Sequence, residues 1–153
     1  MKKSLSGFVP IIFTILSLNA CSKNKSPDLN GIKSAKFTIQ VSGLEQNDYA
    51  NFIFSSGAAG NSTVWKINGT ERSNESVVSL DEDDLKGGAV FVIETSKPVT
   101  AISAGYQFTN GDNTAHSPIA FSYKAEINGT VVREIKSQAI AAADQLNTNY
   151  SYP

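Results

Sequence analysis

Apolar and polar residues alternate with period two over much of the chain. In residues 35–41, Ala, Phe, Ile and Val alternate with Lys, Thr and Gln, and residues 119–127 continue the same alternation without a break. Because successive side chains of an extended strand point to opposite faces, this pattern predicts strands with one buried face. No long window has the apolar period of a helix, so the pattern predicts a fold built from strands.

Shorter apolar runs between turn residues predict further strands at residues 49–55, 63–67, 77–80, 89–94, 99–109 and 131–140, with an edge strand in the tail. The run 89–94 is nearly all apolar, which is typical of a central strand covered on both faces. Gly105 marks an expected bulge in the long strand. Asp81 is expected to cap one helical turn that Gly87 ends.

Two Asn-Gly pairs, at residues 68–69 and 128–129, predict hairpin turns. Around the second pair, apolar residues occupy odd positions both before the turn and after it, at Val131 and Ile135. Facing residues share a side of the sheet, so the numbers of each facing pair must sum to an even total. This parity predicts an odd loop, of three residues with Gly129 in a bulge, and places Phe121 and Ile135 on the same buried face.

About seven to nine short strands with regular turn signals predict an all-β fold. The expected architecture is an antiparallel β-sandwich, with an immunoglobulin-like arrangement as one option and a small β-barrel as the alternative. Residues 35–153 are long enough for one domain of common size. The sequence therefore predicts a single β-sandwich domain over this range.

The first twenty residues have the three parts of an export signal. Lys2 and Lys3 give a positive start, residues 8–18 are mostly apolar, and the small residue Ala20 precedes Cys21. The apolar stretch is about half the ~20 residues that a spanning helix needs. We therefore expect residues 1–20 to be a cleaved signal peptide and not a retained membrane helix.

The stretch Leu18-Asn19-Ala20-Cys21 resembles the lipobox of bacterial lipoproteins, in which Leu, a small residue and Ala or Gly precede Cys. Asn19 departs from the usual residue at its position. The resemblance implies cleavage between Ala20 and Cys21, diacylation of the Cys21 thiol and acylation of the new N-terminus, for example with palmitate. It covers only about the first 25 residues.

The resemblance also implies an attachment to the membrane and a location in the cell envelope. In lipoproteins of this kind, Ser22 in place of Asp after the cysteine implies delivery to the outer membrane. Residues 21–34 are polar and carry Pro27 and Gly31, which is typical of a flexible tether between lipid and domain. Several acyl chains hold a protein firmly, since each buried CH₂ contributes ~0.8 kcal/mol.

Charge and cysteine content narrow the choice of partners. The 153 residues include 13 Lys and Arg and 14 Asp and Glu, for a net charge of −1. This balance lacks the basic footprint of a nucleic-acid-binding protein, so we expect no nucleic-acid partner. Cys21 is the only cysteine, so the chain has no internal disulfide and no thiol left for catalysis once Cys21 is acylated.

We expect neither catalysis nor a cofactor. Serine catalysis needs a base, and the only histidine, His116, lies in a polar loop without a surrounding motif. Zinc is not expected with a single histidine and no free thiol. Asp81, Asp83 and Asp84 are weak candidates for calcium, but their run lacks the glycine at the sixth position of a twelve-residue calcium loop. We interpret this run, and residues 110–113, as solvated turns and predict no metal site.

The aromatic residues mostly occupy inward strand positions and are expected in the core, with Trp65, Tyr150 and Tyr152 the candidates for a surface role. Since no catalytic or metal motif is found, the sequence favours a membrane-anchored lipoprotein with a non-catalytic binding or adhesion domain at the cell envelope. Its partner would be a protein or a glycan. The alternative is a structural or accessory subunit of an envelope complex.

Overall fold

The computed structural model describes residues 31–111 and 117–152, and within these ranges it has ten strands and one short helix. In chain order the elements are β1 (Ala35–Ser42), β2 (Tyr49–Gly57), β3 (Trp65–Ile67), β4 (Thr70–Arg72), β5 (Val77–Asp81), α1 (Glu82–Leu85), β6 (Val90–Thr95), β7 (Ala101–Thr109), β8 (Ile119–Ile127), β9 (Thr130–Ile140) and β10 (Gln145–Tyr152). In this described part no helix has the length and apolarity needed to cross a membrane.

The strands form two antiparallel sheets that pack face to face. One sheet has the order β4-β3-β6-β1-β8-β9 and the other the order β10-β7-β2-β5. The predicted all-β antiparallel sandwich is confirmed, and the alternative of a closed barrel is not adopted. The ten strands exceed the predicted seven to nine because β4, in the polar stretch after the first Asn-Gly pair, was not among the predicted strands. The strand order differs from that of an immunoglobulin domain, in which the first two strands share a sheet.

Side chains from the inner faces of both sheets fill the core. Phe37 of β1 and Phe54 of β2 are fully buried, and their ring centroids lie 4.8 Å apart across the two sheets. Burying an aromatic side chain of this size stabilises a fold by roughly 1.5–3 kcal/mol. Trp65 is also fully buried, and its Nε1 donates a hydrogen bond to the Ser76 carbonyl at 3.0 Å. Trp65 is therefore a core residue and not a surface platform.

The β8–β9 hairpin satisfies the predicted parity by a different route. Ile127 pairs with Thr130, so the turn has two residues, Asn128 and Gly129, both with positive φ (51° and 75°). The predicted three-residue loop is therefore wrong. A register shift next to Ala125 then restores an even sum, and Ile135 lies opposite the buried Tyr123. The bulge turns Ile135 toward the core, but Val131, which precedes the bulge, lies opposite Glu126 and is 49% exposed, so its predicted inward position is wrong.

Strand β6 has only one covered face. It is an interior strand of the six-stranded sheet, and Ile93 is fully buried, whereas Val90 on the opposite face is 50% exposed. The prediction of a strand covered on both faces is wrong, because Val92, the other apolar residue on the outer face, is also only half-buried. An apolar run alone does not distinguish a doubly covered strand from one that exposes apolar residues.

The ordered contacts begin before the predicted domain boundary. Lys33 is buried and forms a two-way main-chain bridge with Val99, at N–O distances of 2.7 and 2.8 Å. The Ser34 amide donates to Asn128 Oδ1 at 2.9 Å. These two residues therefore belong to the sandwich and not to the predicted flexible tether of residues 21–34. The rest of that segment up to residue 30, with Ala20, Cys21 and the signal peptide, lies outside the described residues.

Candidate functional site

The outer face of the four-stranded sheet carries uncharged polar side chains on three neighbouring strands. The odd-numbered residues of β2, β7 and β10 point outward, because the even-numbered ones enter the core. The strand registers place Gln107 of β7 between Asn51 of β2 and Asn147 of β10. We call this surface the amide face, and it consists of Tyr49, Asn51, Ile53, Gln107, Asn147 and Asn149.

Gly105 lies in the next row, between Ile53 and Asn149, and lines a shallow groove of about 220 Å³ in the amide face. A side chain at this position would overlap the carboxamide oxygen of Asn149. The register of β7 shows no shift against either neighbour, so the predicted bulge at Gly105 is wrong. The glycine instead leaves room for the Asn149 amide to lie close to the backbone of β7.

The groove has the chemistry of a surface for uncharged ligands. None of the residues that line it carries a charge, and its amide side chains can both donate and accept hydrogen bonds. Tyr49 and Ile53 are 39% and 48% exposed and add apolar area beside the amides. Asn51 Oδ1 is buried and has no hydrogen-bond partner in the described part of the protein. A buried acceptor of this kind is costly unless a donor reaches it.

The acidic turn predicted at Asp81 is a helix cap. Asp81 Oδ1 accepts hydrogen bonds from the Asp83 and Asp84 amides, and Asp84 Oδ2 accepts one from the Asp81 amide. This reciprocal capping box stabilises the N-terminus of α1. The sequence therefore predicted this helical turn correctly, and Gly87, with φ of 95°, follows its C-terminal end.

The side chain of Asp83 forms an ion pair with a lysine. Lys86 Nζ lies 2.6 Å from Asp83 Oδ1, and this hydrogen bond, together with the attraction between the charges, lowers the pKa of Asp83 and raises that of Lys86. The weak calcium candidates Asp81, Asp83 and Asp84 therefore have local partners. Within residues 31–111 and 117–152, no group of three or more His, Cys, Asp or Glu side chains is arranged to hold a metal ion.

Asp48 organises a second cavity, of about 430 Å³, between the β1–β2 loop and α1. Asp48 is 8% exposed, and its carboxylate accepts hydrogen bonds from the amides of Glu45 (2.8 Å) and Gly111 (3.0 Å). It thereby joins the β1–β2 loop to the end of β7. Glu82 also lines this cavity, and its Oε2 is buried without a hydrogen-bond partner among the described residues.

Four of the five tyrosines gather between the sheets beside β9 and β10. The hydroxyls of Tyr106 and Tyr150 lie 2.9 Å apart, those of Tyr123 and Tyr152 lie 3.0 Å apart, and the guanidinium of Arg133 lies 4.2 Å from the centre of the Tyr150 ring. Burial raises the pKa of Tyr106 to about 12 and also raises those of Tyr123 and Tyr152. These phenols stay neutral near pH 7, and Tyr150 and Tyr152 are half-buried packing residues and not an exposed stacking surface.

The amide face and Asp48 were not predicted from the sequence. The available signal for the amide face is that the outward positions of β2, β7 and β10 carry Asn and Gln without Lys or Glu. For Asp48 the available signal is that it ends the polar segment between the strands predicted at residues 35–41 and 49–55, where Asp is a common turn residue. His116 and residues 112 and 113 of the 110–113 loop lie outside the described residues.

No protein-family model matches the chain, and no curated protein matches it either. Solved structures with a similar fold include a DUF4425 family protein from Bacteroides ovatus (15% identity, TM-score 0.57, 80% of this chain and 95% of that one). They also include a domain of unknown function, DUF4425, from Bacteroides vulgatus (12%, 0.57, 79% and 94%). A third is the calcium-bound form of a protein from Parabacteroides distasonis, determined by NMR (19%, 0.60, 84% and 98%). At these identities the similarity shows that this chain shares the fold of these proteins.

Proposed function

We propose that the protein is a lipid-anchored protein of the bacterial cell envelope that binds an uncharged partner through the amide face without catalysing a reaction. The observation that carries this proposal is the uncharged groove around Gly105, lined by amides from three strands. Two supporting features are the lipobox-like residues that end at Cys21 and the fold shared with proteins of Bacteroides and Parabacteroides.

The groove supports binding and not chemistry. Its side chains are amides, hydroxyls and one aliphatic residue, and it lacks the nucleophile–base pair or paired carboxylates that hydrolysis requires. Amides recognise hydroxyl and amide groups because each can donate and accept in the same plane. The partner would therefore be a neutral glycan or an extended protein segment. Attachment through Cys21, with Ser22 next to it, would place this surface at the outer membrane.

We propose no calcium at Asp81, Asp83 and Asp84. The Parabacteroides distasonis protein was determined in a calcium-bound form, but in this chain Asp81 and Asp84 cap α1 and Asp83 pairs with Lys86. Calcium needs six to eight oxygens that converge on one point. These three carboxylates hold their hydrogen bonds within the turn.

Binding arrays test the proposal. Purified full-length protein is applied to immobilised neutral oligosaccharides and to matrix proteins, with Asn51→Ala and Gln107→Ala as variants and Ser122→Ala, on the outer face of the other sheet, as the matched control. Loss of one amide hydrogen bond is worth about 0.5–1.5 kcal/mol, so each variant should weaken binding by a few-fold to about tenfold. Binding that is unchanged in both amide variants, or equally weak in the control, would rule out the amide face.

A further inference from the structure

Strand β10 forms one edge of the four-stranded sheet, and its main-chain groups are paired on one side only. It pairs with β7 along its whole length, from Gln145 opposite Thr109 to Tyr152 opposite Ile102. No described strand lies on its other side. In an antiparallel sheet, the amide and carbonyl groups of every second residue point away from the neighbouring strand. The eight-residue edge of β10 therefore offers an ordered row of free donors and acceptors.

The other three described edges carry the features by which proteins prevent pairing between edges. Strand β4 is three residues long and contains Glu71 and Arg72, and β5 ends at Asp81, where α1 begins. Strand β9 carries several charged side chains and two register shifts against β8. Short edges, charges and bulges all oppose the addition of a strand.

Strand β10 has none of these features. The segment Gln145–Tyr152 contains no charged residue, no proline and no glycine, and its register with β7 has no shift. Its odd positions carry polar side chains on the amide face, and its even positions face the core. From this contrast we propose that β10 is a docking edge that pairs with β10 of a second copy of the chain, in antiparallel orientation.

A second copy suits this edge because the strand is neutral. When a strand pairs with itself in antiparallel orientation, charged residues near its centre would face identical charges, which is destabilising. Here the central residues are Asn147, Thr148 and Asn149, which are uncharged and whose polar groups can bond to one another across the two-fold axis. The contact is isologous, so one pairing uses both β10 edges and assembly stops at a dimer.

The residue numbers of facing residues in the two copies must sum to an even total, since only then do the polar side chains share one side of the joined sheet. The two registers with the longest overlap are centred on Thr148 and on Asn149. In both, the amide faces of the two copies merge into one surface. Such a dimer would present two grooves side by side and would strengthen the binding of a repetitive partner by avidity. The dimer itself does not depend on the proposed binding function.

Disulfide trapping in intact cells tests the pairing. Full-length Thr148→Cys and Asn149→Cys variants are oxidised and resolved on a non-reducing gel, with Ser137→Cys on the β9 edge as the matched control. The wild type, whose only cysteine is Cys21, sets the background. We expect a dimer band for at least one of the β10 variants and only background for the control. Absence of a β10-specific band, or a band at the mass of a different protein, would overturn the proposal.

Light scattering of the full-length protein in detergent provides the second measurement. Asn149→Lys places like charges next to each other at the centre of both registers, whereas Asn149→Gln keeps the strand neutral, and the fluorescence of Trp65 checks that both variants remain folded. We expect a wild-type dimer that Asn149→Lys weakens by at least about tenfold, equivalent to ~1.4 kcal/mol, and that Asn149→Gln retains. A monomeric wild type, or a dimer equally stable with Asn149→Lys, would overturn the proposal.

Discussion

Replacement of Phe121 by alanine tests which face of β8 enters the core. Phe121 is 2% exposed, and its ring lies against Phe108 at a centroid distance of 4.7 Å and against Tyr106 at 5.0 Å. The substitution removes the transfer free energy of the ring and leaves a cavity between these aromatic neighbours. Together these terms cost ~3–5 kcal/mol in the free energy of unfolding, a large share of the 5–15 kcal/mol typical of a domain.

Lys124 on the same strand is the matched control. It points to the opposite face, where its Nζ lies 3.0 Å from Glu126 Oε2 in a partly exposed ion pair. Such pairs contribute little because solvent screens the charges. Lys124→Ala should therefore change the free energy of unfolding by less than ~0.5 kcal/mol. Comparing the two variants separates the effect of burial from any effect common to all substitutions in β8.

Urea denaturation followed by fluorescence is the assay, because Trp65 is the only tryptophan and is fully buried. We expect a lower midpoint for Phe121→Ala with an unchanged slope, and a melting temperature reduced by roughly 10–20 °C. If Phe121→Ala shows no folded baseline, Phe121→Leu, which retains most of the volume, supplies a smaller, measurable loss. Equal and small effects at Phe121 and Lys124 would show that the face of β8 is wrongly assigned.

Three further predictions concern the anchor, the groove and calcium. Cys21→Ala should release the protein from the membrane fraction, and mass spectrometry that finds a free Cys21 thiol in the wild type would exclude the anchor. Gly105→Ala should lower the free energy of unfolding, measured by urea denaturation, by ~1 kcal/mol because it displaces the Asn149 amide. The loss should be smaller in an Asn149→Ala background, and equal losses in the two backgrounds would contradict this contact. Calcium and a chelator should give the same melting temperature, and a calcium-dependent rise lost in Asp81→Asn or Asp83→Asn would refute the capping interpretation.

The local sequence of β8 and β9 constrains how the two strands face each other but leaves the length of their loop open. The alternation required the numbers of facing residues to sum to an even total, and Tyr123, which faces Ile135, meets this requirement. The same parity results from an odd loop or from an even loop followed by a bulge, and local sequence does not distinguish the two. The positive φ of Asn128 and Gly129 matches the two-residue turn that an Asn-Gly pair favours. The turn signal was therefore the better guide to loop length.

The candidate site depended on pairing between distant strands. That Asn51, Gln107 and Asn147 are polar and point outward followed from the period of two. That they lie side by side did not follow, because β2, β7 and β10 are separated in the chain by strands of the other sheet. The role of Gly105 also depended on a distant strand. The sequence marked this glycine as unusual, but its reason is the position of Asn149 on the neighbouring strand.

What the sequence determined by itself is local: which segments are extended, which of their faces is apolar, where Asn-Gly pairs turn the chain and that Asp81 caps a helix. These features depend on neighbours within a few residues, so their physical causes are visible in the sequence. The tertiary structure alone decided which strands share a sheet, which become edges and which polar side chains form one surface. Those outcomes depend on long-range main-chain pairing and on packing between the two sheets, which the same alternating pattern allows in many arrangements.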